Sequence, residues 1–560
     1  MAEPLGQARS RSGRPRDSIA FGKEAEEMHQ LSSPRRIALT ELPMTVRGSG
    51  VESFRFGSCS AAWRQVEPDD LFVALASVDG DGHDDIEQAV ARGASAILAE
   101  RLVPASVPVF VVEDTREAYG HLCHLLADRP SRDLHLIGVA GSSGKTSVVR
   151  LIESVLREAG RPAAVASDER WFVPDPIDAS IDDEGYELLE NDPAPNDRDA
   201  LPAPTPPRIV SGLSDAAACG FRHAVLELGA FELARRTWAG TELDVVVLTG
   251  LTEDYRGRHN NTANYRKAIR RALGLLRPDG MVIANADCPH VRQLLDELPF
   301  PALTYALRSE GAIEGERLEE TAWDQLVAVR AGCETIPLRL TRPGDHVAEN
   351  ALAAITLGLS LGIDLPTIVR GIEKGEPADG TLETVSRFGQ GPRVLLDRAT
   401  LPDRVEATLD TLRRTAAGRV WCVCQVDKSL AQEHRSSLGS LVERHSDRAA
   451  LSVAPELRHR ALPVLHDVLD GYEREARDLV SPDTLKALAW VLDQADENDT
   501  VVVIGAWEQD REAIERLVLG NGRELLPPMV GPRAATGSVR ESHDLAGPRI
   551  LKIDDFRRSA

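Results

Sequence analysis

From about Val51 onward, short apolar runs alternate with amphipathic stretches. LFVAL (Leu71–Leu75), AILAE (Ala96–Glu100) and VPVFVVED (Val107–Asp114) are apolar runs bounded by turn residues, and they predict strands. DDIEQAVARGA (Asp84–Ala94) has helical spacing closed by Gly93, and TREAYGHLCHLLADRP (Thr115–Pro130) predicts a helix capped by Thr115 and stopped by proline. A new unit opens at LHLIGVAG (Leu134–Gly141), a strand, followed by TSVVRLIESVLREAG (Thr146–Gly160), a strongly periodic helix ending in glycine. Strands are expected again at HAVLELG (His223–Gly229), LDVVVLTG (Leu243–Gly250) and GMVIANAD (Gly280–Asp287), with helices at Asn264–Leu276 and Glu349–Gly362. A third series runs through Arg393–Arg398, Arg419–Cys424 and Thr500–Trp507. Strands alternating with helices imply an α/β protein whose parallel sheets are covered on both faces.

Breaks in this pattern mark the expected domains. Residues 1–44 are polar, rich in Arg, Ser and Pro, and predict a disordered arm; Met44 is an alternative first residue. A small α/β domain is expected over 45–133, a central domain over 134–378, a carboxyl domain over 379–520 and a flexible tail over 521–560. Within the central domain the stretch 174–207 is acidic and proline-rich and reads as a solvated insert.

Composition narrows the function. The chain has 560 residues, enough for about three domains, and its 42% hydrophobic and 27% charged residues are ordinary for a globular protein. A formal net charge of -23 argues against a general nucleic-acid or anionic-membrane binder, since phosphate backbones demand positive charge. There is no apolar run long enough for a membrane span and no signal-peptide core, so a cytoplasmic protein is expected. The seven cysteines are scattered and read as reduced thiols; Cys422 and Cys424 fall on the same face of one strand.

The sharpest chemical signal is IGVAGSSGKTSVVRLI (Ile137–Ile152), where a strand runs into a glycine-rich loop and then a helix. In that setting glycines let backbone N–H groups converge on phosphate oxygens, and the helix N-terminus adds positive potential. Gly141, Ser142, Ser143, Gly144, Lys145, Thr146 and Ser147 form the expected nucleotide cradle: Lys145 reaches the outer phosphates and Thr146 offers its hydroxyl to Mg²⁺. The spacing departs from the general phosphate-loop rule, because Val139 stands where that rule has its first glycine and the glycines fall at Gly138 and Gly141.

The run GVAGSSGKTS resembles the G-V-T-G-T-N-G-K-T-[ST] loop of the Mur ligases, which activate a carboxylate with ATP as an acyl phosphate and join it to an amino acid. Further blocks follow in that family's order. Val66–Glu100 resembles the UDP-binding domain of the MurE branch, and His223–Ala234 is similar to its A-V-M-E-V-S-S-H-x-L-A. Leu243–Tyr265 resembles its T-N-L-T-x-D-H-L-D segment, Val282–Pro289 its V-I-N-A-D-D-P, and Gly344–Ala354 its G-x-H-N-V-x-N-A-L-A-A. The resemblance implies a three-domain architecture: a UDP-precursor domain, a central phosphate-loop sheet and a Rossmann-like carboxyl domain. It implies ATP and Mg²⁺ as cofactors and a UDP-N-acetylmuramoyl-peptide and an amino acid as substrates, in a protein expected to be a monomer. It also implies residue roles: Lys145 and Glu227 catalytic, Thr146 and Glu227 as metal ligands, Asn285, Asp287, His346 and Asn350 along the adenine, and Asp397 at the ribose. Ser60, Gly80 and His83 would lie near the uridine nucleotide.

The departures from the family fall on chemistry. Tyr255 replaces a histidine that helps hold a second metal, and Ile269 stands where a lysine is carbamylated for it, with Lys267 on another helix face. Thr381 replaces an arginine expected at the γ-phosphate, Thr400 replaces a histidine, and Gly505-Ala506-Trp507-Glu508-Gln509 replaces G-K-G-H-E. Arg256, Arg258 and Lys267 are candidate replacement cations. Two readings follow: a MurE-like ATP-dependent ligase of peptidoglycan synthesis, or a degenerate homologue that binds ATP or a UDP-linked precursor and regulates or scaffolds a partner.

Overall fold

The computed structural model describes residues 31–77, 80–168, 170–172, 204–253, 262–297, 300–376, 380–386, 391–473, 479–506, 510–520 and 551–552. Most of the acidic insert, Tyr255, Arg256, Arg258, Asp379 and Trp507-Glu508-Gln509 therefore lie outside the described residues. The chain divides into two compact units, Met1–Arg129 with Thr205–Ser211, and Pro130–Pro204 with Gly212–Ala560.

The first unit is a five-stranded sheet in the order Leu31–Ala38, Arg55–Ser60, Leu71–Val73, Ala96–Ala99, Val109–Val111. The first pair is antiparallel and the others are parallel. Leu71, Val73, Ala96 and Leu98 pack with Phe56, Phe110 and Leu122 of the helix Thr115–Leu126. That helix is capped by Asp114, one residue before the expected Thr115: its carboxylate accepts from the Arg116 and Glu117 amides. The expected disordered arm over 1–44 is too long. Leu31–Ala38 is an edge strand, and Ile37, Leu39 and Leu42 are buried in this core. Its apolar residues are separated by arginines and prolines, so no period of two was visible, and pairing with Arg55–Ser60 supplies the order.

The second unit holds two sheets. The larger has nine strands in the order Glu334–Leu340, Gln325–Ala331, Ile313–Glu320, Ala302–Ala306, Leu276–Asn285, Leu243–Leu248, His135–Ala140, His223–Leu228, Ala163–Ala166. Pairing is parallel from Ala163–Ala166 across to Ile313–Glu320. The last three strands form an antiparallel meander, which corrects the expectation of wholly parallel sheets. The first of these strands, IEGERLEE, is too charged to show an apolar rhythm. The strand His135–Ala140 sits between partners on both sides, so the loop at its carboxyl end opens in the interior of the sheet, where α/β folds bind ligands.

The helix Lys145–Glu158 buries Val148, Val149, Ile152, Val155 and Leu156, one stripe at helical spacing. It packs against the helices Asp345–Ser360 and Leu365–Lys374. The helix Pro206–Ala218 begins inside the expected insert, which therefore ends before Pro206.

The smaller sheet has seven strands: Glu383–Thr384, Arg393–Asp397, Thr500–Ile504, Val420–Val426, Arg448–Val453, Leu479–Val480, Leu551–Lys552. Its five inner strands are parallel and both edge pairs antiparallel. The outer strand Leu551–Lys552 comes from the tail expected to be flexible, which corrects that expectation for these two residues. Cys422 and Cys424 are both buried on one face of their strand. Among the described residues no helix is long and apolar enough to cross a membrane.

Candidate functional site

The glycine turn ends the strand His135–Ala140 and starts the helix Lys145–Glu158. Gly144 caps that helix at φ 79°, a left-handed conformation that favours glycine. A Cβ there would stand 2.4 Å from the Asn350 Oδ1, so the turn lies directly against the Asp345–Ser360 helix. Neighbouring backbone fixes the rest of the turn. The Ser142 N–H donates to the Gly250 carbonyl at 2.9 Å, and the Ser142 hydroxyl accepts from the Thr252 N–H at 2.8 Å. The Thr249 hydroxyl donates to the Ser143 carbonyl at 2.6 Å. Sequence reasoning missed Thr249 and Thr252, whose signal was their place just after the strand next to the loop.

Lys145, Thr146 and Glu227 meet beside the turn. The Thr146 hydroxyl donates to Glu227 at 3.0 Å, and Lys145 Nζ stands 3.6 Å from the same carboxylate. Glu227 is buried at the end of the strand His223–Leu228. Desolvation raises its pKa, against the pull of Lys145; the nearby Asp168 raises it further. A divalent cation offset by phosphate oxygens suits such a pair, since Mg²⁺ takes a hydroxyl and one or two carboxylates and completes its shell with water and phosphate. Among the described residues no group of three or more His, Cys, Asp or Glu is arranged to hold a metal.

A cavity of about 120 Å³ adjoins the turn. Its walls include Ser143, Gly144 and Ser147 on one side and His346, Glu349 and Asn350 on another. The third wall comes from the carboxyl-terminal segment: Thr381, Asp397–Ala399, Asp403 and Arg404. His346 is half-buried with its Nδ1 out of water; desolvation holds its pKa down to about 4, and that Nδ1 has no hydrogen-bond partner among the described residues.

Several expected ligand contacts are already engaged with the chain. Asp287 accepts from the Leu307, Arg308 and Ser309 amides and from the Ser309 hydroxyl, clamping the turn that follows the strand Ala302–Ala306. Asn285 donates to the Thr249 carbonyl at 3.2 Å and accepts from the Asp287 N–H at 2.9 Å. Asp397 accepts from the Leu382 N–H at 3.0 Å and the Ala399 N–H at 2.8 Å while still lining the cavity. Leu382 has φ 46°, a left-handed value for a branched residue, and Arg342 donates to its carbonyl. Asp397 therefore holds a strained turn, and desolvation raises its pKa.

In the first unit, both ring nitrogens of His83 are taken: Nδ1 by Asp81 at 2.5 Å and Nε2 by the Glu100 N–H at 3.0 Å. The Ser60 hydroxyl donates to the Ala62 carbonyl at 3.0 Å and is buried. Both side chains thus have partners within the chain, and Gly80 is exposed with open space where a Cβ would stand. Ile269 is fully buried in the helix Thr262–Arg270, and Lys267 is exposed on it.

Comparison with known proteins agrees with this geometry. The Mur ligase middle domain matches residues 139–358, and the Mur ligase glutamate ligase domain matches residues 382–507. A UDP-N-acetylmuramoyl-L-alanyl-D-glutamate–2,6-diaminopimelate ligase of Geobacillus thermodenitrificans is 28% identical over 458 residues, 80% of this chain and 90% of that protein. A UDP-N-acetylmuramyl-tripeptide synthetase of Deinococcus radiodurans is 29% identical over 465 residues, 80% of this chain and 89% of that protein. The solved structure of a UDP-N-acetylmuramoyl-L-alanyl-D-glutamate–2,6-diaminopimelate ligase superposes with a TM-score of 0.57 at 20% identity, covering 84% of this chain and 93% of that one. With both domain models matched in order around the glycine turn and its buried carboxylate, the chain belongs to the Mur ligase family.

Proposed function

We propose that this chain is a MurE-type ATP-dependent ligase that joins an amino acid to a UDP-N-acetylmuramoyl-peptide during peptidoglycan synthesis, in the cytoplasm. The observation that carries the reading is the glycine turn at Gly141–Gly144 with Lys145, Thr146 and Glu227 gathered beside it. The relatives' substrates, a UDP-muramoyl-dipeptide and diaminopimelate, supply the substrate class. Backbone N–H groups of the turn and Lys145 would hold the polyphosphate, and Thr146 with Glu227 would hold Mg²⁺. Magnesium, when bound, offsets charge as a carboxylate approaches the triphosphate. Asn350 and His346 line the cavity that takes the base, and Asp397 shapes the wall nearest the sugar.

The second reading is a homologue that binds without ligating, and it turns on one departure from the family's pattern. Ile269 fills a fully buried position where the family carries the lysine of a second metal site, and Lys267 points to solvent instead. The experiment that separates the readings is release of ADP and phosphate with UDP-muramoyl-peptides and a panel of amino acids. Turnover with one acceptor supports the ligase. ATP affinity without turnover on any acceptor supports the binding protein, and no ATP affinity overturns the ligase and leaves the second reading only its UDP-linked precursor.

A further inference from the structure

Glu349 stands one residue before Asn350, on the wall of the cavity beside the glycine turn. Its side chain is 22% exposed, so most of it is out of water but part of it faces the cavity. Its partners are distant. Asn285 Nδ2 lies 3.4 Å from one oxygen and Arg308 Nη2 3.6 Å from the other, and Arg308 is already bonded to Asp345 at 2.7 Å. The carboxyl group thus keeps hydrogen-bonding capacity toward the cavity. On the same wall, half-buried His346 keeps its Nδ1 out of water and unpartnered among the described residues. Gly144 lies close enough to Asn350 that a side chain added there would collide with the Asn350 amide. On the nucleotide-binding reading above, a nucleotide with its phosphates in the turn would have this cavity within reach of its base.

We propose that Glu349 is the residue that selects the base of the bound nucleotide, by pairing its carboxyl group with the hydrogen-bonding edge of a purine. This rests on the nucleotide-binding reading above. A protonated carboxyl offers one donor and one acceptor, the complement of the ring nitrogen and exocyclic amine of adenine. An ionised carboxylate offers two acceptors, the complement of the ring N–H and exocyclic amine of guanine. The base preference is therefore set by the proton on Glu349. Burial lifts its pKa to about 7, with Asp287 and Asp345 adding to the rise and Arg308 opposing it. The other groups facing it are Tyr305, raised far above neutrality, and His346, held near 4, and neither titrates around pH 7.

The test is calorimetric titration of the full chain with MgATP and with MgGTP, at about pH 6 and about pH 8.5, for the unaltered protein, Glu349→Gln and Glu349→Ala. The unaltered protein should favour ATP at the lower pH, and its ATP-to-GTP affinity ratio should fall by about two orders of magnitude at the higher, as the protonated-to-ionised ratio of Glu349 does. Glu349→Gln, whose amide carries a donor and an acceptor at every pH, should keep the preference for ATP throughout. Any pH dependence left in that variant belongs to other groups. Glu349→Ala should lose most of the discrimination while still binding both nucleotides through the turn. A ratio unchanged in Glu349→Ala, or the full pH dependence persisting in Glu349→Gln, overturns the inference and leaves the nucleotide site standing. An unaltered protein that binds neither nucleotide overturns the nucleotide-binding reading, and the inference with it.

Discussion

Replacing Gly141 by alanine tests whether the turn is shaped by its neighbours in the way described. Gly141 has φ 149°, where an L side chain is strained, and the added Cβ would meet the Thr249 Oγ1 at 2.1 Å. The Gly250 carbonyl and amide would stand at 3.0 and 3.1 Å. A residue forced into so sparsely populated a region costs about 1–3 kcal/mol. Moving the Thr249 hydroxyl aside also breaks its 2.6 Å bond to the Ser143 carbonyl, leaving a partly buried acceptor unpaired at about 1–3 kcal/mol. The total is about 2–6 kcal/mol. If the turn keeps its shape, the loss appears as lower thermal stability. If the turn shifts, it appears as weaker ATP binding, about tenfold for each 1.4 kcal/mol. Calorimetry of unfolding and of MgATP binding on the same preparation captures both. Adding Thr249→Ala to Gly141→Ala removes the 2.1 Å collision but not the strain in φ, so the double variant should recover part of the loss beyond the cost of Thr249→Ala alone. A Gly141→Ala protein with unaltered stability and unaltered ATP affinity refutes the reasoning, and a double variant with no recovery refutes the role given to Thr249.

Lys145→Ala should weaken MgATP binding by about 2–3 kcal/mol, or tens- to hundreds-fold, because it removes a charged phosphate contact, and unchanged affinity by titration calorimetry would show that the loop does not grip phosphate. Asp397→Ala should lower stability by about 1–3 kcal/mol for each of the two amides it frees, at Leu382 and Ala399, read as a shift in the denaturant midpoint. His346 is pushed from 6.5 to about 4, so its stabilising contribution is present above pH 6.5 and is lost as pH falls through 4. That loss amounts to about 3 kcal/mol, and His346→Asn should remove this share of the acid sensitivity in a pH series of melting curves. For Glu349, raised from 4.5 to about 7, the sign is opposite: stability without nucleotide is highest below pH 4.5 and falls by about 3 kcal/mol as pH rises through 7, a slope that Glu349→Gln should flatten.

The centres of the parallel sheets were legible because their strands are continuous apolar runs, while Ala163–Ala166, Ala302–Ala306 and Arg448–Val453 were not. LHLIGVAG, HAVLELG and LDVVVLTG fall on the central strands of the larger sheet, and the glycine, serine and lysine run between the first of them and its helix lies where the spacing put it. The edges were not legible. Leu31–Ala38 and Leu551–Lys552 are edge strands added antiparallel to their neighbours, and the polar residues in their sequences obscure any continuous apolar run. Register with a neighbour far along the chain orders them, and no local pattern records it.

The site was legible by position more than by role, and the difference has a physical source. Glu227, Asn350 and His346 lie beside the turn as expected, because they sit at the ends of strands and helices whose apolar stripes fix where those ends fall. Whether such a side chain is available to a ligand depends on partners that the local pattern does not show. Asp287 is occupied by amides about twenty residues on, Asp397 by Leu382 fifteen residues back, and His83 by Asp81 and Glu100. A buried carboxylate or imidazole without such partners is costly, so a fold that keeps one unsatisfied keeps it where something else can bind. Of the groups at the turn and on the cavity wall, His346 keeps an unpartnered ring nitrogen among the described residues, while Glu227 pairs with Thr146 and Lys145 and Glu349 with Asn285, and the roles proposed for this chain rest on those three. Ile269 marks the other limit. An apolar side chain packed with no exposure binds no metal, so in the ligase reading a second offset for the charge of a carboxylate and a triphosphate would come from basic side chains such as Lys145 beside the turn or Arg404 on the cavity wall.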